Sequence, residues 1–225
     1  MQRSVPGVVS PCGMTFFGER ACPSIYETEQ TLGMRILVHL CCAPCSTYSL
    51  RALSEEGHDL LGFFFNPNIH PFGEYLLRRR AMEDYSRRVG LSVIWPATEE
   101  MESFFQAVAF HEEERCRICY RMRLFRTAEE AKVRGCDAFT TTLLISPYQK
   151  HDLLCEVGSE VAREVGMLFH YTDFRPGWRS SREEARQLGL YQQTYCGCLY
   201  SEKERQWERL GKKGWTLAST PSASS

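Results

Sequence analysis

Short apolar bursts recur along this chain with helix-length patterns between them, and that alternation limits the fold more than any other feature of the sequence. The bursts fall at 35–40, 59–65, 91–95, 137–144 and 167–171. Helical patterns occupy 46–56, 73–89, 100–110, 117–133 and 149–165. Ser46 is placed to cap the first of these, and Gly57, Gly90 and Gly166 to stop the first, second and last. Strands alternating with helices predict an α/β fold, with a mostly parallel sheet covered by helices on both faces. Ligands in such folds sit outside the carboxyl ends of the strands. The first burst ends at Cys41-Cys42-Ala43-Pro44-Cys45, where a nucleotide-binding protein would carry a glycine-rich phosphate loop. No glycine run is present, so this turn offers thiolates rather than a phosphate cradle.

The chain has 225 residues, a length that suits one domain. A single catalytic domain is expected over 34–211, where no internal boundary is visible. Residues 1–33 contain Pro6, Gly7, Pro11, Gly13, Gly18 and Pro23 without a sustained period, and predict a poorly ordered extension. The Ser- and Thr-rich end, 212–225, predicts a disordered tail. No stretch approaches the ~20 apolar residues of a membrane helix, and the N-terminus lacks a secretory-signal pattern; a cytoplasmic protein with no membrane partner is expected. Formal net charge is −1, from 27 basic and 28 acidic side chains, so nucleic-acid binding would need a local basic face. Arginines cluster at Arg78, Arg79 and Arg80, at Arg87 and Arg88, and at Arg115, Arg117, Arg121, Arg123 and Arg126. Taken singly, each reads as solvated helix surface.

Eleven cysteines stand in the sequence, an odd number that rules out complete intramolecular pairing. In a reducing compartment, cysteines at motif spacing bind metal or do redox chemistry. Seven fall in three compact groups: Cys41, Cys42 and Cys45; Cys116 and Cys119 in CRIC; Cys196 and Cys198 in CGC. Only folding can bring the groups together. Four thiolates complete an iron–sulfur cluster or a structural zinc site, and the remaining three suggest a second metal or a redox pair. Gly197 lets the backbone turn between two sulfurs. Cys136 and Cys155 read as buried structural residues, and Cys12 and Cys22 as incidental.

The stretches HLCCAPCS, FFNPNIHPFGEYLLRR, ERCRICYRMRL, FTTTLLISPYQKH, DFRPGWRSS and YCGCLYS resemble the QueH-type epoxyqueuosine reductases, over 34–205. The resemblance implies reduction of epoxyqueuosine to queuosine at the wobble position of tRNA, by a cobalamin-independent iron–sulfur oxidoreductase. It also implies a Rossmann-like fold related to the adenine-nucleotide alpha-hydrolases (the HUP class). The partners implied are tRNA carrying epoxyqueuosine and an electron donor of unknown identity. On this reading Cys41, Cys42, Cys116 and Cys119 hold a 4Fe–4S cluster. Cys196 and Cys198 form a redox-active pair that can close as a disulfide, flanked by Cys45. Alternatively, Cys45 with one of them holds an additional mononuclear iron. Asp173 and Tyr148 are candidate proton donors. His39 reads as a satisfied core residue and His70 as a loop residue with a possible substrate contact. Arg175, Trp178 and Arg179, in a loop of turn formers, are the expected RNA contacts. Two rival readings are an ATP-dependent tRNA-modifying enzyme of the same fold, which would need the missing phosphate loop, and a non-enzymatic zinc-binding module.

Overall fold

A computed structural model describes residues 33–98 and 100–212. The expected N-terminal extension and C-terminal tail, with Cys12 and Cys22, lie outside the described residues apart from Gly33 and Lys212. Five strands form one sheet: β1 (Arg35–His39), β2 (Asp59–Phe63), β3 (Val93–Ile94), β4 (Ala138–Thr141) and β5 (Leu168–Phe169). Their order is β3-β2-β1-β4-β5, and every pairing is parallel. The expected α/β architecture is therefore present. β1 lies at the centre, with His39 level with Phe63 on one side and Thr141 on the other. A strand covered on both faces reads as a continuous apolar run rather than an alternation, and Ile36, Leu37 and Val38 are fully buried.

The helices are α1 (Ala43–Glu55), α2 (Phe72–Val89), α3 (Met101–Val108), α4 (Arg115–Val133), α5 (His151–Val165), α6 (Trp178–Gln187) and α7 (Leu199–Gly211). α1 begins before the expected cap. Cys42 is its N-cap residue and Pro44 stands in its first turn, where proline's fixed φ suits a helix and its missing N–H costs nothing. Ser46 instead donates to the Cys42 carbonyl at 2.8 Å. α6 and α7 were not foreseen in the sequence. α6 is strongly charged, and only Ser181 and Ala185 are buried; α7 buries no residue. α6 rests on α1, where Thr47 Oγ1 and Ser181 Oγ lie 3.0 Å apart.

Just before α6, Arg175–Gly177 forms a single 3-10 turn that meets α1 closely. A Cβ on Gly177 would stand 2.2 Å from the Tyr48 ring. Gly177→Ala should therefore lower stability by about 1–3 kcal/mol through overpacking, read as a fall in thermal midpoint. Gly73→Ala is the control, because a Cβ there meets nothing within 4 Å among the described residues; an equal midpoint for the two variants would contradict the packing.

Candidate metal centre and cavity

The three cysteine groups arise on different elements. Cys41 and Cys42 follow β1 and lead into α1, with Cys45 in its first turn. The three are 6%, 1% and 3% exposed, and their sulfurs lie within 4.8 Å of one another. The Cys41 N–H donates to Thr142 Oγ1 at 3.0 Å, and the Thr142 hydroxyl stands 3.2 Å from Cys41 Sγ. Hydrogen bonds from Cys42, then Cys45, hold the Cys41 thiol well below the usual thiol range against the opposing effect of burial. The same contacts push Cys45 up, and burial does the same for Cys42. Of the three, Cys41 is the thiol whose ionised form the site favours, and the helix N-terminus beside it acts in the same direction.

Cys116 and Cys119 sit near the start of α4 at i, i+3 spacing, which sets them on one face. Cys119 is buried, and burial pushes its thiol up to about 12. It packs with Phe104 and Val108, against which Cys198 also rests. Cys198 is the N-cap residue of α7, its sulfur accepting from the Ser201 N–H at 3.4 Å. Gly197 has a φ of 155° in a tight place: a Cβ would lie 3.0 Å from Asn68 Nδ2.

Side-chain amides tie the groups together. Gln193 Nε2 donates to Cys42 Sγ at 2.8 Å, joining the CCAPC turn to the segment before CGC. Gln149 Nε2 donates to Cys196 Sγ at 3.2 Å. The Gln149 carbonyl oxygen accepts from the Tyr120 hydroxyl at 2.7 Å, and Tyr120 follows Cys119. All seven thiols are free.

Two arginines expected on the surface are buried instead, each 2% exposed. Arg78 pairs with Glu74 at 2.7 Å, and its other nitrogens donate to the carbonyls of Cys196 at 2.7 Å and Tyr195 at 3.1 Å. It therefore clamps the CGC segment onto α2. Arg123 has no carboxylate partner among the described residues. Its Nη2 donates to Asn66 Oδ1 at 2.7 Å, its Nε to His39 Nε2 at 3.2 Å, and its Nη1 lies 3.7 Å from Cys119 Sγ. A buried guanidinium keeps its charge and needs a counter-charge. The groups facing it that can become anionic are the sulfurs of Cys119, Cys41 and Cys196; burial pushes the Cys119 and Cys196 thiols up, and a bound metal would be needed to hold them as thiolates. Burial, then Arg123, pushes His39 down to about 3, so its imidazole is neutral and accepts from Arg123 while Nδ1 lies 2.8 Å from Thr141 Oγ1. His39 is the satisfied core residue expected.

A cavity of about 470 Å³ opens on this centre, lined among others by Cys41, Cys42, Cys45, Cys196, Tyr148 and Trp178. Cys116, Cys119, Cys198, Asp173, Arg175 and Arg179 do not line it. Asp173 is held by Arg175 through contacts of 2.8 and 2.7 Å, which lower its pKa and keep it a carboxylate. Trp178 and Arg179 open α6 rather than occupying a loop. His70 is buried, bonded to the Pro67 carbonyl at 3.1 Å and stacked on Phe105 at 4.3 Å. Tyr148 is 75% exposed at the cavity, its ring 5.9 Å from Trp178, and Arg182 lies over Trp178 at 5.6 Å. Cys136 and Cys155 are buried as expected. The residues missed from the sequence are Arg78, Arg123, Gln149 and Gln193. The two arginines stand among other arginines of polar helices and the two glutamines in polar segments, and no local pattern marks the partner of any of them.

The family model described as epoxyqueuosine reductase QueH matches residues 36–204. The epoxyqueuosine reductase QueH of Dehalococcoides mccartyi is 41% identical over 179 residues, covering 79% of this chain and 96% of the relative. That of Thermotoga maritima is 34% identical over 180 residues, covering 76% of this chain and 92% of the relative. A solved structure described as a predicted subunit of tRNA methyltransferase from Methanocaldococcus jannaschii overlays with a TM-score of 0.49 at 12% identity, covering 84% of this chain and 93% of that one.

Proposed function

This chain belongs to the epoxyqueuosine reductase QueH family, and from that premise we propose that it reduces epoxyqueuosine to queuosine in tRNA at the cysteine-lined cavity. The observation that carries the site assignment is the buried Arg123, a fixed cation with no carboxylate partner among the described residues and with a sulfur from each of the three cysteine groups acting on it. Sulfur-rich donors around buried positive charge fit a thiolate-bound iron centre. The placement supports a division different from the one drawn from the sequence. Cys116, Cys119, Cys196 and Cys198 would hold a 4Fe–4S cluster, since Cys198 and Cys119 share one apolar cluster and Cys196 joins Tyr120 through Gln149. Cys41, Cys42 and Cys45, facing the cavity, would hold a single iron. When bound, these groups supply electrons one at a time and a Lewis acid for the epoxide oxygen.

The reaction takes up two electrons and two protons, breaks both carbon–oxygen bonds of the epoxide, and leaves an alkene and water. The chain's part is to hold the base against the cysteine wall and to deliver protons. Asp173, ionised against Arg175 and outside the cavity lining, is better suited to fixing Arg175 than to giving a proton. Tyr148 lines the cavity and remains the candidate donor, with water. No helix among the described residues is long and apolar enough to cross a membrane, and a thiol-rich iron centre suits the reducing cytoplasm.

For the RNA, the Tyr148–Trp178 pair at the cavity offers a face for an unstacked base, with Arg182, Arg205 and Arg209 lining the same opening. Tyr148→Phe keeps the ring and removes the hydroxyl; Tyr148→Ala removes both. Stacking on an aromatic is worth ~1–3 kcal/mol per base, so Tyr148→Ala should raise KM for tRNA by about 5- to 150-fold with iron content unchanged. An unaltered KM in Tyr148→Ala would count against the stacking role, and full kcat in Tyr148→Phe against the proton role. The assignment as a whole is tested by anaerobic iron and sulfide analysis joined to conversion of epoxyqueuosine-containing tRNA. A colourless protein with tightly held zinc and no conversion would refute it.

A further inference from the structure

α1 ends far from the cysteines it begins with, roughly 20 Å along a helix of this length. There, Glu56 at the C-cap, His58 just before β2 and His170 just after β5 turn toward one another. One ligand atom from each lies within 4.8 Å of the others. Nε2 of His58 is 3.4 Å, and Nε2 of His170 3.8 Å, from the same oxygen, Glu56 Oε2. Hydrogen bonds between such groups close to about 2.9–3.0 Å, so both contacts are long for that purpose. Ligands bound tetrahedrally at ~2.0–2.2 Å stand roughly 3.3–3.6 Å apart, which is close to the spacing seen. The two imidazole rings are 5.0 Å apart and cross at 75°, so they meet edge to face rather than stacking.

We infer that Glu56, His58 and His170 form a metal site separate from the cysteine centre, of the two-histidine, one-carboxylate kind, which takes a late first-row dication such as Zn²⁺. The donor chemistry suits borderline metals. The His58 side chain is 2% exposed, and its Nδ1 has no hydrogen-bond partner among the described residues. Thr172 Oγ1 stands 3.3 Å from His170 Nε2, a long hydrogen bond that a metal ion at this nitrogen would displace. Glu56 is 44% exposed, which gives the ion a way in and leaves room for water. Bound metal would fasten the end of α1 to the chain after β5, and ligation of the folded state alone raises stability. The inference does not rest on the proposed reductase activity.

The test is Co²⁺ uptake by the full chain under anaerobic conditions, compared among wild type, His170→Ala and Glu56→Gln. The thiol sites are common to all three, so the difference between them isolates this site. Wild type should bind one more Co²⁺ per chain than His170→Ala. The extra ion should lack the intense near-ultraviolet absorption of sulfur-bound cobalt, and the thermal midpoint should rise more with Co²⁺ in wild type. Glu56→Gln alters an exposed residue and leaves the core intact; its affinity for the extra ion should fall by at least about tenfold. Equal stoichiometry in wild type and His170→Ala, or undiminished affinity in Glu56→Gln, overturns the inference.

Discussion

Replacing Arg123 with methionine will strip iron from the cysteine centre while leaving the sheet folded. Methionine fills much of the same volume and packs flexibly, so the loss falls mainly on charge. Removing one partner of a buried ion pair costs about 3–5 kcal/mol, because the other is left uncompensated. Here the partners left uncompensated, once iron is bound, would be the thiolates of Cys41, Cys119 and Cys196, whose sulfurs act on Arg123. They can take up protons, and a protonated thiol no longer binds iron. Iron affinity should therefore drop by about 10²- to 4 × 10³-fold, with tRNA binding kept. Arg123→Lys keeps the charge but not the fork of donors that reaches both Asn66 and His39, and should retain an intermediate share of iron. Far-ultraviolet circular dichroism separates loss of iron from loss of fold. Full iron content in Arg123→Met would show that the guanidinium does not balance the sulfurs.

The second large effect separates the two cysteine groups. Cys119→Ser should abolish the visible absorbance of the cluster. Cys45→Ser should keep that absorbance, lose one iron per chain, and still reduce activity by at least about 10³-fold, since a Lewis-acidic ion supplies several kcal/mol. The contrast follows from placement: Cys45 lines the cavity and Cys119 does not. If Cys45→Ser bleaches the protein and Cys119→Ser leaves its colour, the division is reversed. The sequence-derived assignment also places Cys119 on the cluster and fails with it; what would favour that assignment over this one is loss of the cluster absorbance in Cys41→Ser or Cys42→Ser.

The strands and the position of the CCAPC turn were legible because burial on both faces writes a plain signal, a continuous apolar run such as that ending at Leu40. The cysteine groups were legible from spacing. Arg78 and Arg123 were not. Both stand in helices dense with charge, where one arginine looks like any other, and the partners that bury them belong to other segments: Tyr195 and Cys196 for the first, His39 and Asn66 for the second. α7 escaped notice because its few apolar residues, Leu199, Tyr200, Trp207 and Leu210, stand among many charged ones and none of them is buried. Asp173 was legible as a residue near a strand end but not as the partner of Arg175, two positions on. That pairing turns a candidate acid into a fixed carboxylate.

Anomalous diffraction at the iron edge from anaerobically grown crystals addresses the central claim directly. Iron should appear bound by sulfur from the CCAPC turn, from the start of α4 and from the CGC segment, all beside Arg123. Iron held by one of these segments alone, or lying away from Arg123, would contradict the account.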